Sequence, residues 1–255
     1  MTFVDDYSSG STFSGNFNGT TQTQMHGYWT TEEAGMVAPS ATIVRHDFST
    51  EAPVVLAPNR LNIINASYGL VGTSRCYGLS FNWAAYPQED SIIQAAFKGT
   101  AVVSKAAGND SVAVGASKNG SLDYFDAGLV NVSLAAVNPT VIFAGALNTN
   151  GTTSKKATLA SYSNYAGSNT KVQSHFLVVG VDGADTGLYG TSFAAPIISG
   201  YAAILGSKFA GATPVEIANQ LLNSARTDTI ANYSASVYGK GEASLSNALA
   251  PVSIH

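Results

Sequence analysis

The chain is poor in cysteine, in charge and in long apolar runs, and each shortage excludes a class of protein. Cys76 is the only cysteine among 255 residues, so no intramolecular disulfide can form. Charged residues make up 11% of the sequence, the formal net charge is −4, and lysine and arginine form no cluster. These features argue against nucleic acid or an anionic membrane surface as a partner. No apolar run reaches the roughly 20 residues of a transmembrane helix, so we expect no membrane span.

Small polar residues are abundant and lysine, arginine and glutamate are scarce, which leaves few sites for other proteases to cut. This composition favours a secreted, periplasmic or cell-surface protein. Residues 1–5 lack the charged and apolar regions of a signal peptide, so we expect any export signal, propeptide or C-terminal domain to lie outside this chain. We expect residues 1–255 to form a single domain, and we expect the protein to be a monomer.

Short apolar segments alternate along the chain with helix-like segments. The strand-like segments are residues 2–4, 41–44, 61–66, 101–104 and 140–146, and the helix-like segments are residues 87–98, 192–209 and 213–224. Near-continuous apolar strands are typical of a parallel sheet that is buried on both faces. We therefore predict an α/β fold, a parallel sheet sandwiched between helices on both faces. Ligands bind beyond the carboxyl ends of such strands.

Residues 190–196 read Gly-Thr-Ser-Phe-Ala-Ala-Pro and open an apolar, alanine-rich run. The pattern predicts a tight turn that enters a buried helix with Ser192 at its N-terminus, where unpaired backbone N–H groups would stabilise an oxyanion. Taken alone, Gly-Thr-Ser is more often an ordinary helix cap than a catalytic site. The longer string resembles the nucleophile segment of subtilisin-like serine proteases (subtilases), which usually reads Gly-Thr-Ser-x-Ala-x-Pro.

Three further polar segments follow apolar runs and are similar to subtilase segments. They contain Asp5, His26 and Asn109, the last within the string Ala-Ala-Gly-Asn. The resemblance implies that Ser192 is the nucleophile and that His26 takes its proton. It also implies that Asp5 orients and stabilises the imidazole and that Asn109 donates to the tetrahedral oxyanion.

The resemblance spans nearly the whole chain and implies how substrate would bind. Further similar segments are residues 35–44, 64–69, 140–146, 160–165 and 238–249. By resemblance, an extended polypeptide would add a strand beside Ser67, Tyr68, Gly69, Ala107 and Gly108. Some stretches resemble the subtilase domains of bacterial autotransporters and related surface proteases. The chemistry requires no cofactor.

The histidine segment departs from the usual His-Gly-Thr-His-Val-Ala-Gly of the family. His26-Gly27 is followed by aromatic and polar residues, and eight residues separate His26 from Gly35. We therefore expect a short helix behind His26. Whether Asp5, His26 and Ser192 can act together as a catalytic triad therefore depends on where His26 is placed.

Several other residues compete for the catalytic roles. Asp6 adjoins Asp5, and either one alone could be a turn residue. The other histidines fit the order of the family less well, and we expect a structural role for His46. The remaining two are His175, in a polar stretch, and His255, at the end of the chain.

The single thiol and two carboxylate pairs have ordinary interpretations. A free cysteine such as Cys76 is most often a small hydrophobic residue. The pairs Asp123/Asp126 and Asp182/Asp185 could hold a structural Ca²⁺. Because two carboxylates fall short of about six to eight oxygen ligands, we assign no metal site and interpret both pairs as solvated loops.

The sequence thus predicts a serine endopeptidase that forms an acyl-enzyme with polypeptide substrates. One alternative is a catalytically impaired, subtilase-like binding module, which the unusual segment after His26 favours. An esterase of the α/β-hydrolase type is disfavoured because only His255 follows Ser192 and no Gly-x-Ser-x-Gly is present.

Overall fold

A computed structural model describes residues 1–76 and 81–254. The strands are β1 (Thr2–Asp5), β2 (Thr12–Gly15), β3 (Gln22–Met25), β4 (Val44–Asp47), β5 (Ile63–Ala66), β6 (Val71–Thr73), β7 (Val102–Ala106), β8 (Ser121–Asp123), β9 (Val141–Leu147) and β10 (Phe176–Gly180). The helices are α1 (His26–Val37), α2 (Pro87–Lys98), α3 (Tyr124–Asn131), α4 (Thr170–Ser174), α5 (Gly183–Thr186), α6 (Ala194–Lys208), α7 (Pro214–Asn223), α8 (Ala235–Tyr238) and α9 (Leu245–Ala248).

A parallel sheet of six strands lies at the centre of the described chain, in the order β10-β9-β7-β5-β1-β4. Helices cover both of its faces. On one face, side chains of α2 and α3 pack against the strands, and on the other face α6 and α7 do so. The predicted α/β fold with a parallel sheet between helices is confirmed.

The sheet brings polar residues together at one edge. Strands β7, β5 and β1 are neighbours and run in the same direction. Their carboxyl ends therefore place Asp5, Ser67 and Asn109 at the same edge of the sheet, where ligands of such folds bind. Helix α6 lies against β5, β7 and β9 with its N-terminus at this edge.

Local details differ from the sequence predictions in three places. The strand predicted at residues 41–44 is wrong, because β4 begins only at Val44. The buried helix begins at Ala194, after one 3-10 turn over Thr191–Phe193 that contains the serine. The helix behind the histidine is not short: α1 starts at His26 and continues past Gly35 to Val37.

Two small antiparallel pairs and strand β10 were not predicted. Strands β2 and β3 form a hairpin between Asp5 and His26, and β6 pairs with β8. Within residues 1–76 and 81–254, no helix has both the length and the apolar character for crossing a membrane.

Candidate active site

Asp5 and His26 form a short, oriented pair. The Asp5 side chain is 1% exposed, and its Oδ1 lies 2.6 Å from His26 Nδ1. Its Oδ2 accepts a hydrogen bond from the Thr30 hydroxyl at 2.9 Å, and Oδ1 also accepts from the Asp6 backbone N–H at 2.8 Å. These bonds fix the carboxylate, which in turn holds the proton of the imidazole on Nδ1. His26 Nε2 is then the nitrogen that can accept a proton from a nucleophile.

Asp6 has a different environment from Asp5. Its Oδ1 accepts from the backbone N–H groups of Ser8 and Ser9 at 3.2 and 2.9 Å, and its Oδ2 accepts from the Ser9 hydroxyl. This is the bonding of a turn aspartate. The structure therefore places Asp5, and not Asp6, beside the histidine.

Ser192 lies at the entrance to α6, within the 3-10 turn. Its hydroxyl donates to the Ser67 backbone carbonyl at 3.2 Å, and the Ser67 hydroxyl donates to the Ser192 carbonyl at 2.9 Å. The ring of Phe193, the next residue, lies 5.9 Å from the His26 ring. In the described structure no hydrogen bond joins Ser192 to His26. Such catalytic bonds are often loose without substrate and tighten when it binds.

Asn109 is held by one end of its amide. Its Oδ1 accepts from the Thr191 backbone N–H at 2.9 Å and from the Thr191 hydroxyl at 3.1 Å. This orientation leaves Nδ2 as the group that can donate. A Cβ on Gly190 would lie 3.2 Å from Nδ2, and Gly190 has a φ of 124° that favours glycine. The amide therefore lies against the turn that carries Ser192, where an oxyanion donor is needed.

The two predicted substrate segments, residues 67–69 and 107–108, lie beside Ser192 but differ in which backbone and side-chain groups are already bonded. Ser67, Gly69 and Gly108 line a cavity of about 540 Å³, together with Tyr68 and Ser192. The Tyr68 hydroxyl donates to Glu89 at 2.8 Å, away from the backbone edge, and burial, with that carboxylate beside it, raises the pKa of the phenol.

Ala107 is fully buried and its backbone is already bonded. Its N–H donates to the Ala144 carbonyl at 3.0 Å, and its carbonyl accepts from Asn164 Nδ2 at 2.8 Å. The Gly108 N–H donates to the Thr191 hydroxyl at 3.0 Å. This side of the cleft therefore forms a hydrogen-bonded wall, and we propose that an extended chain pairs on the side of Ser67 and Gly69.

Sequence reasoning missed the residues that support the site. Thr30 bonds Asp5, Thr191 bonds Asn109, and Asn164 bonds the segment after β7. One signal was available, because Thr30 lies four residues after His26 and hence on the same face of a helix. The other two contacts join residues 82 and 57 positions apart, which no local pattern reveals.

The remaining candidates lie elsewhere. His46 Nε2 is 3.1 Å from the Ala52 carbonyl, and His175 Nδ1 is 3.1 Å from the Lys171 carbonyl. His255 lies outside the described residues, and Cys76 is exposed.

The two carboxylate pairs differ from each other. Asp182 and Asp185 are exposed, as expected. The expectation of a solvated loop is wrong for Asp126, which is 2% exposed in α3 and paired with Lys105 at 2.9 Å. Among the described residues, no group of three or more His, Cys, Asp or Glu side chains could hold a metal ion.

Three proteases of known structure are similar to this chain, and two of them share its fold with a TM-score above 0.5. A lanthipeptide protease aligns over 88% of this chain and 75% of its own length, with 19% identity and a TM-score of 0.56. A protease from Pseudoalteromonas arctica aligns over 84% of this chain and 64% of its own, with 20% identity and a TM-score of 0.51. The prenylagaramide maturation protease PagA is 26% identical over 74% of this chain and 60% of its own, with a TM-score of 0.47. This chain thus spans less than two thirds of the last two proteins.

Identities below 25% establish the fold and not the activity, so the family assignment needs a sequence match. No protein of curated function matches the chain significantly. The sequence pattern of the subtilase family matches residues 17–241, which is most of the chain and includes His26, Asn109 and Ser192. Asp5 precedes the matched segment, and its place in the site comes from its bond to His26. The chain therefore belongs to the subtilase family.

Proposed function

We propose that this chain is a serine endopeptidase that hydrolyses peptide bonds through an acyl-enzyme. The observation that carries the proposal is the 2.6 Å bond between the buried Asp5 and His26, at the sheet edge where Ser192 enters α6. A secreted, periplasmic or cell-surface location fits the low charge of the sequence.

In the proposed first step, Ser192 Oγ attacks the carbonyl carbon of the scissile bond. His26 Nε2 takes the hydroxyl proton, and Asp5 stabilises the resulting imidazolium without taking the proton itself. Asn109 Nδ2 and backbone N–H groups at the entrance to α6 donate to the tetrahedral oxyanion. His26 then protonates the departing amine, and water hydrolyses the acyl-enzyme by the same route in reverse.

The bond between Ser192 and Ser67 suggests how substrate could prepare the nucleophile. The Ser192 hydroxyl now donates to the Ser67 backbone carbonyl. An extended substrate that adds a strand along Ser67 and Gly69 would donate a backbone N–H to the same carbonyl. We propose that this competition releases the hydroxyl, which then rotates toward His26.

Labelling with a fluorophosphonate tests the proposal directly. We expect one adduct on Ser192 of the folded protein, located by peptide mass mapping, and none on Ser192→Ala. Hydrolysis of a peptide library should be lost in Ser192→Ala and retained in Ser174→Ala, which removes an exposed hydroxyl in α4. A folded protein with neither adduct nor turnover would instead be a subtilase-like binding module.

A further inference from the structure

The cavity beside Ser192 is lined at its floor by three charged residues, Lys105, Asp123 and Asp126, which the proposed chemistry does not use. Lys105 lies in β7 and is 1% exposed. Its ammonium donates to the Ala106 carbonyl at 2.7 Å and lies 2.9 Å from Asp126 Oδ1 and 3.7 Å from Asp123 Oδ2. Lys105, Asp123 and Asp126 all line the cavity. An ionic cluster in a buried position requires mutual compensation of its charges.

The charges of the three residues at the cavity floor do not fully compensate one another. Two carboxylates face one ammonium, which donates a hydrogen bond to the Ala106 carbonyl and forms ion pairs with Asp126 and Asp123. Burial, together with the neighbouring Asp123, raises the pKa of Asp126 to about 7 despite the lysine. At the rim of the cavity, Asp110 and Lys118 pair at 3.4 Å and cancel each other. The cavity therefore carries one excess negative charge when both Asp123 and Asp126 are ionised, and loses it when Asp126 takes up a proton.

Asp123 is the carboxylate that a guest molecule can reach. Its side chain is 21% exposed, whereas those of Lys105 and Asp126 are each 2% exposed. Asp123 Oδ1 accepts three backbone N–H bonds, from Leu70, Phe125 and Asp126. Oδ2 lies directly beneath Gly69, where a Cβ on that glycine would be 2.4 Å away. The absence of a side chain at Gly69 thus leaves room for this oxygen at the cavity wall.

The position of the cavity defines which part of a substrate would enter it. Ser192 and Asn109, which would bind the scissile carbonyl, both line the cavity, and His26 does not. His26 marks the side of the departing amine, because it protonates that group. The cavity therefore lies on the acyl side, where the side chain of the residue that carries the scissile carbonyl would enter.

We propose, on the basis of the proposed peptidase function, that Asp123 gives this cavity a preference for lysine or arginine immediately before the scissile bond. The substrate cation binds Asp123 Oδ2 and compensates the excess negative charge shared with Asp126. The aliphatic part of the substrate side chain lies between the segment of Ser67 and Gly69, which follows β5, and the wall at Gly108. An aspartate or glutamate at this substrate position is excluded by like-charge repulsion.

A set of peptides that differ only at the residue before the scissile bond tests the inference on the unmodified protein. The residues compared are Arg, Lys, Leu, Phe and Glu, and the measured quantity is kcat/KM. We expect Arg and Lys to exceed Leu and Phe by about tenfold or more, and Glu to be cleaved slowest, since a charge pair that is partly desolvated is worth about one order of magnitude or more. Efficient cleavage with Leu, Phe or Glu preferred would overturn this inference and leave the peptidase proposal intact.

The variant Asp123→Asn assigns the preference to one carboxylate. Asparagine retains an oxygen for the three backbone N–H bonds and removes the charge. We expect the ratio of kcat/KM for Arg over Leu to fall about tenfold. The matched control Asp185→Asn removes the same charge from an exposed position outside the cavity and should leave the ratio unchanged. An unchanged ratio in Asp123→Asn overturns the assignment, whereas absence of both turnover and fluorophosphonate labelling in the unmodified protein would reject the peptidase proposal itself.

Discussion

At the scale of single residues, the two ends of the Asn109 amide have separate tasks. Oδ1 accepts two hydrogen bonds from Thr191, which precedes the proposed nucleophile Ser192, and these bonds set the direction of Nδ2. The proposed oxyanion donor is therefore positioned before any substrate arrives. Such fixed orientation is what makes a hydrogen-bond donor effective in a transition state, because no reorganisation is needed during the reaction.

The variant Asn109→Asp separates these two tasks. Aspartate keeps an oxygen for Thr191 and replaces the donor by an acceptor. We expect kcat to fall by about 10²–10³-fold, or roughly 3–4 kcal/mol, with little change in KM, since the lost bond is made in the transition state. Thr191→Ser keeps the hydroxyl that bonds Oδ1 and should retain kcat within a few-fold. A kcat for Asn109→Asp close to that of the unmodified protein would remove Asn109 from the mechanism.

The catalytic candidates were easier to identify from sequence than their supporting residues. Ser192 and Asn109 stand in strings whose residue types follow from local needs, such as glycine at a positive φ and small residues at a helix start. Thr191 and Asn164 also lie in segments that resemble the family, but the sequence does not show which groups their side chains bond. Their importance depends on which strand ends become neighbours, and this is a property of the assembled sheet.

At the scale of elements, helices with strong end signals were predicted closely and exposed strands were not. Helix α2 runs over Pro87–Lys98 as predicted, with a proline at its start and Gly99 after its end. Strand β4 was misplaced because it is an edge strand, with Val44 53% exposed, so its residues need not be apolar. The β2–β3 hairpin was missed for the same reason, because its residue Phe13 is half exposed. The Phe13 ring packs against the His26 ring.

The start of α7 offers a test of local stabilisation. The Thr213 hydroxyl accepts from the Glu216 N–H at 3.2 Å, and the Glu216 carboxylate accepts from the Thr213 N–H at 2.7 Å. We expect Thr213→Ala to lower the free energy of unfolding by about 1 kcal/mol, because it leaves helix N–H groups unpaired. Denaturant unfolding measures this loss, and Thr213→Ser, which keeps the hydroxyl, should show much less of it. Equal stability of both variants and the unmodified protein would contradict the assignment.

At the scale of the whole molecule, the scarcity of charge makes each partly buried carboxylate matter for stability. Helix α1 packs against α6, and on α1 Glu33 lies next to Glu32. Burial, and to a lesser degree the charge of Glu32, raises the pKa of Glu33 from 4.5 to about 7. The folded state therefore binds a proton at Glu33 over a pH range in which the unfolded chain has released it.

The sign of the resulting pH dependence follows from this difference. The contribution of Glu33 to stability is fully present below about pH 4.5 and is lost as the pH rises through about 7. Each unit of pKa difference corresponds to about 1.4 kcal/mol, so the loss is at most a few kcal/mol. We expect Glu33→Gln to gain stability relative to the unmodified protein as the pH rises from 5 to 8. Thermal unfolding at the two pH values measures the gain, at roughly 2–4 °C per kcal/mol for a chain of this size. Glu51→Gln, at an exposed position, should show no such trend, and a pH-independent difference for Glu33→Gln would show that this carboxyl is ionised alike in the folded and unfolded chain.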